Sequence, residues 1–328
     1  MDKLREKSEA MKGQAADEFK QHELFDDLLR DNVVKFLDNN TLFNYSQCSR
    51  KCNQEIQKYH TTAPEHVEIK ETQEGIDVSY GKANRFSVYN NPSRIGIVDA
   101  SFKFADYASY NEILNSIEAY FARAFRHVNE GTTDRLYISM RHWPVGLMRR
   151  GFFPVVEEFD VNIWNTMLDG FVEFANTTNM RVSTLGLNKT SENVVPINGE
   201  KVSELLRSAL VQRVECIKVE LDTAISDEDF LALRNPTIGL SLPHRSISDA
   251  AICQKVTQIN NSRTVDHEIN IGVEDDSWPF DLEAMFPHHF VEREDDEYMG
   301  VHIWFTNTTV GRVDLETEGM GTNLTITT

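Results

Sequence analysis

No apolar run in this sequence approaches 18 residues, so no segment reads as a membrane-crossing helix. Basic residues are scarce: 33 Lys and Arg stand against 52 Asp and Glu, a formal net charge of −19. A surface that acidic repels phosphate backbones and anionic lipid, so neither nucleic acid nor a membrane is expected as a partner. The one compact basic cluster is Arg141, His142, Arg149 and Arg150. There are only four cysteines, Cys48, Cys52, Cys216 and Cys253. Cys48 and Cys52 have no matching second pair, which excludes a zinc-finger spacing. The four read as reduced thiols of a cytoplasmic or nuclear protein. The opening stretch MDKLREKSEAMKGQAADEFK is charged and lacks the apolar core of a secretion signal.

Catalytic motifs are missing as well. The sequence contains no G-x-x-x-x-G-K-[ST], no G-x-S-x-G and no H-E-x-x-H. FPHHFVERE offers His288, His289, Glu292 and Glu294. Adjacent histidines point to different sides of a chain, so no metal centre is expected there. The acidic runs at 274–276 and 293–297 lack the alternating ligands and glycine of a calcium loop and read as solvated turns. Cys216 and Cys253 sit among apolar neighbours, the setting of structural thiols. No cofactor and no enzymatic activity are expected.

What is there falls into three textures. Residues 1–20 are a polar tail or helix. In residues 21–60 the apolar period becomes helical. Leu28, Leu29, Val33, Phe36 and Leu37 share one broad face, Asp38–Asn40 end that helix, and Leu42, Tyr45 and Cys48 continue the period. Pro64 then stops any helix. Residues 65–105 carry short alternating runs, HVEIK, GIDVSY, RFSVYN and RIGIVD, parted by turn residues, which predicts a short antiparallel strand region.

From 108 to 328 helical stretches alternate with strands. YNEILNSIEAYFARAFRHV precedes RLYISM, IWNTMLDGFVEFANTT precedes RVSTLGLN, and GEKVSELLRSALVQR precedes ECIKVEL. DEDFLALR precedes TIGLSL, SDAAICQKVTQINN precedes HEINIGV, and PFDLEAMFPHHF precedes VHIWF. VGRVDLET and TNLTITT close the chain. The fold class is therefore mixed, α+β or α/β. An irregular leucine-rich-like αβ repeat is preferred over a doubly wound sheet, which the pattern also permits. The preference rests on strand alternation. Leu136/Ile138/Met140, Ile217/Val219/Leu221 and Ile269/Ile271/Val273 put one face inside and leave the other for water, whereas a doubly covered parallel strand is apolar throughout. The outward positions are Tyr137, Ser139, Asn188, Lys218, Glu220, Asn270, His302 and Trp304, a candidate face for a protein target.

The segment Leu24–Cys52, LFDDLLRDNVVKFLDNNTLFNYSQCSRKC, resembles an F-box. Leu24 opens the family pattern, Asp27 stands at its acidic position and Leu28–Leu29 are its leucine pair. Val33–Val34, Leu37, Thr41–Leu42 and Tyr45 follow, and Cys48–Ser49–Arg50 end it. Phe25 replaces the family's proline, and one extra residue lies between Leu29 and Val33. The tail of the segment is similar to nematode-type F-box proteins, which carry an associated domain behind the box; here that domain would be residues 65–328. The resemblance implies the substrate-recognition subunit of a cullin–RING (SCF-type) ubiquitin ligase. It implies docking to a Skp-type adaptor, and through it to a cullin scaffold, by Leu24, Phe25, Leu28, Leu29, Val34, Leu37, Leu42 and Cys48. An unknown protein would be the target. Read from periodicity alone, the same helices can equally be a structural cap on the domain that follows.

Overall fold

The computed structural model describes residues 61–62, 65–72, 75–80, 84–89, 128–130, 132–149, 151–190, 196–262, 267–274, 282–287, 289–294, 299–305, 310–318 and 321–328. The F-box-like segment, with its eight candidate adaptor contacts, and the run RIGIVD lie outside them. The chain divides into two compact units, Met1–Ala63 with Arg123–Glu130, and Pro64–Ala122 with Gly131–Thr328. In the first, β1 (Thr61–Thr62) pairs in parallel with β5 (Val128–Glu130).

The second unit is built on one 13-stranded sheet, mixed α/β as expected. Its strands are β2 (His66–Glu71), β3 (Gly75–Tyr80), β4 (Asn84–Tyr89), β6 (Thr133–Ser139), β7 (Val155–Ile163), β8 (Arg181–Lys189), β9 (Cys216–Glu220), β10 (Thr237–Leu242) and β11 (Glu268–Val273). They are followed by β12 (Phe290–Glu294), β13 (Met299–Trp304), β14 (Arg312–Glu318) and β15 (Gly321–Thr327). The helices between them are α1 (Val145–Arg149), α2 (Leu168–Thr177), α3 (Gly199–Leu206), α4 (Asp227–Ala232), α5 (Asp249–Ser262) and α6 (Leu282–Met285). The sheet order is 12-13-14-15-11-10-9-8-7-6-2-3-4.

In the centre, β2, β6, β7, β8, β9, β10 and β11 are all parallel, and each lies beside the strand that follows it in this series. A doubly wound sheet reverses its order part-way; this one does not. Right-handed crossovers taken repeatedly in one direction set the intervening helices on one face. The early hairpin strands do pair antiparallel, β2 with β3 and β3 with β4. Through the parallel pairing of β2 with β6 they extend the central sheet instead of forming one of their own.

The core follows from register. Val67, Leu136, Phe159, Leu185, Ile217, Ile238, Ile269, Ile326, Val313 and Ile303 are cross-strand partners in one continuous row, and every one is fully buried. A second buried row, two residues further along, runs from Ile69 through Ile138, Val161, Leu187, Val219, Leu240 and Ile271 to Leu324. Each such side chain contributes about 1.5–3 kcal/mol on leaving water. The helices cover these rows. Phe159 on β7 meets Phe171 of α2 edge-on at 6.3 Å, and Trp143 lies 4.6 Å from Phe171 and 5.0 Å from Phe174. Trp143 is thus a core residue.

Helix starts are capped by the residues the sequence supplies. Asn198 accepts from the amides of Glu200 and Lys201 ahead of α3, Ser226 from Asp229 ahead of α4, and Ser248 from Ala251 ahead of α5. Neighbouring helices are tied by buried Asp229, which accepts from Ser203 at 2.7 Å and Arg207 at 2.8 Å across to α3. Burial alone would raise the Asp229 carboxyl, but hydrogen bonds from Ser226, Ser203 and Arg207 outweigh it and hold the group below its ordinary range.

Three expectations are corrected. VVEEFDVNI is a strand, β7, which the sequence reading left unassigned, and the helix placed from Ile163 begins instead at Leu168. The long helix GEKVSELLRSALVQR ends at Leu206, and a separate 3-10 turn covers Val211–Arg213. FVERE is strand β12, paired antiparallel with β13, where an acidic turn was expected to begin at 293.

Candidate functional site

Strand alternation puts polar residues on the face opposite the core, and register lines them up across the sheet. One row reads Glu68, Tyr137, Asp160, Gly186, Lys218, Gly239, Asn270, Thr325, Asp314 and His302. The next reads Lys70, Ser139, Asn162, Asn188, Glu220, Ser241, Gly272 and Asn323. On the other side of the first lie Arg135, Glu158, Thr184, Cys216, Thr237, Glu268, Thr327, Arg312 and Trp304. The eight predicted face residues occupy positions in these three rows, spread across the sheet from β6 to β13. The side chains of His302 and Trp304 lie outside what the structure describes; their backbone positions place them in the first and third rows.

Two glycines lie in the middle of this face. Lys218 is exposed and stands between Gly186 and Gly239 on the flanking strands. The vacancy at Gly186 has a specific use. A Cβ there would come within 2.2 Å of Asp160 Oδ1, so the Asp160 side chain lies across the neighbouring strand where only glycine leaves room. Asp160 is 7% exposed and accepts from Arg135 Nε at 3.0 Å and Nη2 at 2.7 Å. That two-pronged contact, with weaker attraction from Glu158 at 3.6 Å, raises the Arg135 guanidinium further above its ordinary value.

Around this centre, Lys218, Glu220, Glu268 and Asn323 are exposed, while Tyr137, Asn188, Asn270 and Thr325 are half-buried. Asn162 Nδ2 donates to the Tyr137 hydroxyl at 2.7 Å and to Ser139 Oγ at 3.2 Å. Ser139 is only 7% exposed, which corrects its place among the contact residues: it is a buried partner of Asn162. Asn270 donates to Glu268 at 2.9 Å, and Lys189 bridges Glu274 at 2.9 Å and Asp222 at 3.6 Å at the end of the strands. Most charges on the face are thus fixed by neighbours; Lys218, standing between glycines, has no ion pair among the described residues.

No known protein family, no curated protein and no solved structure matches this chain.

The other sequence candidates take structural places. Cys216 and Cys253 are half-buried, and burial pushes both thiols up, away from the reactive thiolate. The His289 ring packs against Phe305 at 4.2 Å. Among the described residues no group of three or more His, Cys, Asp or Glu side chains is placed to hold a metal ion, and no helix is long and apolar enough to cross a membrane. Two members of the basic cluster are engaged: Arg149 pairs with Glu173 at 2.7 Å, and Arg141 reaches Glu71 at 3.7 Å and lies over the Trp164 ring, while Arg150 lies outside the described residues.

Sequence reasoning missed Arg135, Asp160 and Asn162, which fix the geometry of the face. Asp160 and Asn162 belong to the unassigned strand β7, whose alternation Phe159, Val161, Ile163 was the available signal.

Proposed function

We propose that this protein is a non-catalytic substrate-recognition adaptor of an SCF-type cullin–RING ubiquitin ligase. In this reading residues 21–60 form an F-box that seats Leu28, Leu29, Val34 and Leu37 against a Skp-type adaptor and so reaches the cullin scaffold. Residues 65–328 act as a leucine-rich-like F-box-associated domain whose polar strand face holds a protein target. The adaptor needs no catalytic group of its own. It raises the effective concentration of the target beside the ligase, and it would work in the cytoplasm, the nucleus or both.

The observation that supports target binding is the broad polar face, which exposes Lys218 at its middle and is stiffened by the Arg135–Asp160 and Asn162–Tyr137 contacts. A wide, preorganised surface suits another protein, whereas small ligands are enclosed by concave, largely apolar walls. Two features support the ligase assignment: the F-box-like pattern from Leu24 to Cys52, and a parallel strand series in sequential order, the arrangement of αβ repeats. Co-purification tests it. The wild-type chain should recover a Skp-type adaptor, and Leu28→Asp and Leu29→Asp should each lose it while the far-ultraviolet circular dichroism is unchanged. Adaptor recovery by both variants would overturn the assignment.

A further inference from the structure

A cavity of about 490 Å³ lies away from the polar strand face. It is walled by the end of α4 and the turn into β10 (Leu231, Leu233, Arg234, Asn235), by α5 (Lys255, Gln258, Ile259) and by His267 at the start of β11. Its polar groups are not those of a plain packing gap. Asn235 is 2% exposed and spends its amide nitrogen on the carbonyls of Val211 at 2.7 Å and Val214 at 2.8 Å. Its Oδ1 is buried with no partner. His267 Nε2 is likewise buried and unpartnered. The Pro236 and Asn235 backbone acts on the same ring, and with Nε2 unpartnered the proton of the neutral ring is assigned to Nδ1, which makes Nε2 an acceptor. The His267 backbone is held by Thr328, whose hydroxyl accepts from its amide at 2.8 Å.

Lys255 supplies the opposite character. It is 4% exposed, and its ammonium donates to the carbonyls of Phe230, at 3.2 Å, and Leu233. Two of its three protons are so used, and the ammonium also stands 5.3 Å from the centre of the Phe230 ring. Arg234 lies near enough to act on Lys255, and Lys255 on His267. In a chain of net charge −19 these three basic groups share a cavity whose described lining includes no carboxylate. The cavity thus presents two unfilled acceptors, Asn235 Oδ1 and His267 Nε2, beside the cations of Lys255 and Arg234. Leu231, Leu233 and Ile259 add apolar wall.

We infer that this cavity is a binding site for a small organic carboxylate that carries a hydroxyl group. The carboxylate answers Lys255 and Arg234, the hydroxyl proton goes to Asn235 Oδ1 or His267 Nε2, and an apolar body rests on Leu231, Leu233 and Ile259. No covalent step is involved, and the site does not rest on the ligase reading.

The test is calorimetric titration of the full chain with 2-hydroxy-4-methylpentanoate. Two relatives serve as controls: 4-methylpentanoate, which lacks the hydroxyl, and 2-hydroxy-4-methylpentanamide, which lacks the charge. The hydroxy acid should bind saturably, and each control at least about tenfold more weakly, the loss of one good polar contact. Lys255→Met should abolish binding. Arg234→Gln, at an exposed rim position that leaves the core untouched, should weaken it at least about tenfold. Absence of saturable binding, or equal binding by Arg234→Gln, overturns the inference. So does a crystal structure grown with the hydroxy acid in which only water meets Asn235 Oδ1 and His267 Nε2.

Discussion

Lys255 offers the sharpest quantitative prediction. Burial is the main cause, with Arg234 adding repulsion, of a drop in its pKa from 10.5 to about 8. The carbonyls of Phe230 and Leu233 solvate the ammonium in part, but no carboxylate among the described residues offsets the desolvation. Below pH 8 both folded and unfolded chains carry the proton, and the folded state bears the full cost of the buried charge. Between about 8 and 10.5 the unfolded chain holds the proton while the folded one does not, so stability rises with pH across that window. The shift from 10.5 to about 8 corresponds to about 3 kcal/mol. Other lysines, tyrosines and thiols titrate in the same range, so the quantity to measure is a difference. Urea unfolding of the wild type and of Lys255→Met is followed at pH 7, 9 and 10.5. Methionine keeps an unbranched chain one atom shorter but leaves two carbonyls without a donor, a cost that does not change with pH. The stability of the wild type relative to the variant should therefore improve by about 3 kcal/mol between pH 7 and 10.5. A difference that stays flat, or falls, refutes the argument that an uncompensated ammonium is buried there.

Two further predictions follow from named contacts. Gly186→Ala brings a methyl group within 2.2 Å of Asp160 Oδ1 and must break the Arg135 contact or shift β8, at a cost of about 1–3 kcal/mol seen as a lower urea midpoint; an unchanged midpoint would mean that Asp160 does not lie over β8. Asp229→Asn weakens the hydrogen bonds to Ser203, Ser226 and Arg207 and should destabilise by about 1–3 kcal/mol at pH 7. Because the folded Asp229 carboxyl sits below its unfolded value, this deficit should shrink as pH falls below about 4, through the folded value; a deficit independent of pH would contradict the charge-assisted contact.

Much of the sheet is written in local pattern. β9, β10 and β11 alternate apolar and polar residues cleanly, and the outward members identified from the sequence do share a face. β7 escaped because Glu157 and Glu158 interrupt its first half and because Ile163 was given to the helix that follows. The break after Leu206 is a tertiary matter. Ser208 is buried and bonds its own turn, accepting from Val211, and Leu210 bonds back to the Ala175 carbonyl of α2, neither of which a helical period reveals. Ser139 reads as an outward serine from spacing alone; only register shows Asn162 beside it. The cavity was invisible for the same reason. Asn235, Lys255 and His267 lie in three separate stretches of the chain, and nothing in the local sequence marks any of them. Pattern reports which face a residue takes; register and helix placement decide what it meets.

In the proposed adaptor, one molecule holds a ligase scaffold through residues 21–60 and a target through the polar strand face. The most direct measurement is a pull-down of the full chain from cells, with recovered proteins identified by mass spectrometry, for the wild type and two kinds of variant. Leu28→Asp should lose the Skp-type adaptor and cullin yet keep the target. Lys218→Glu combined with Glu220→Lys, which preserves net charge on the strand face, should lose the target yet keep the adaptor and cullin. If the adaptor and cullin are absent from the wild-type sample, or if both variants recover the same proteins as the wild type, the claim is contradicted.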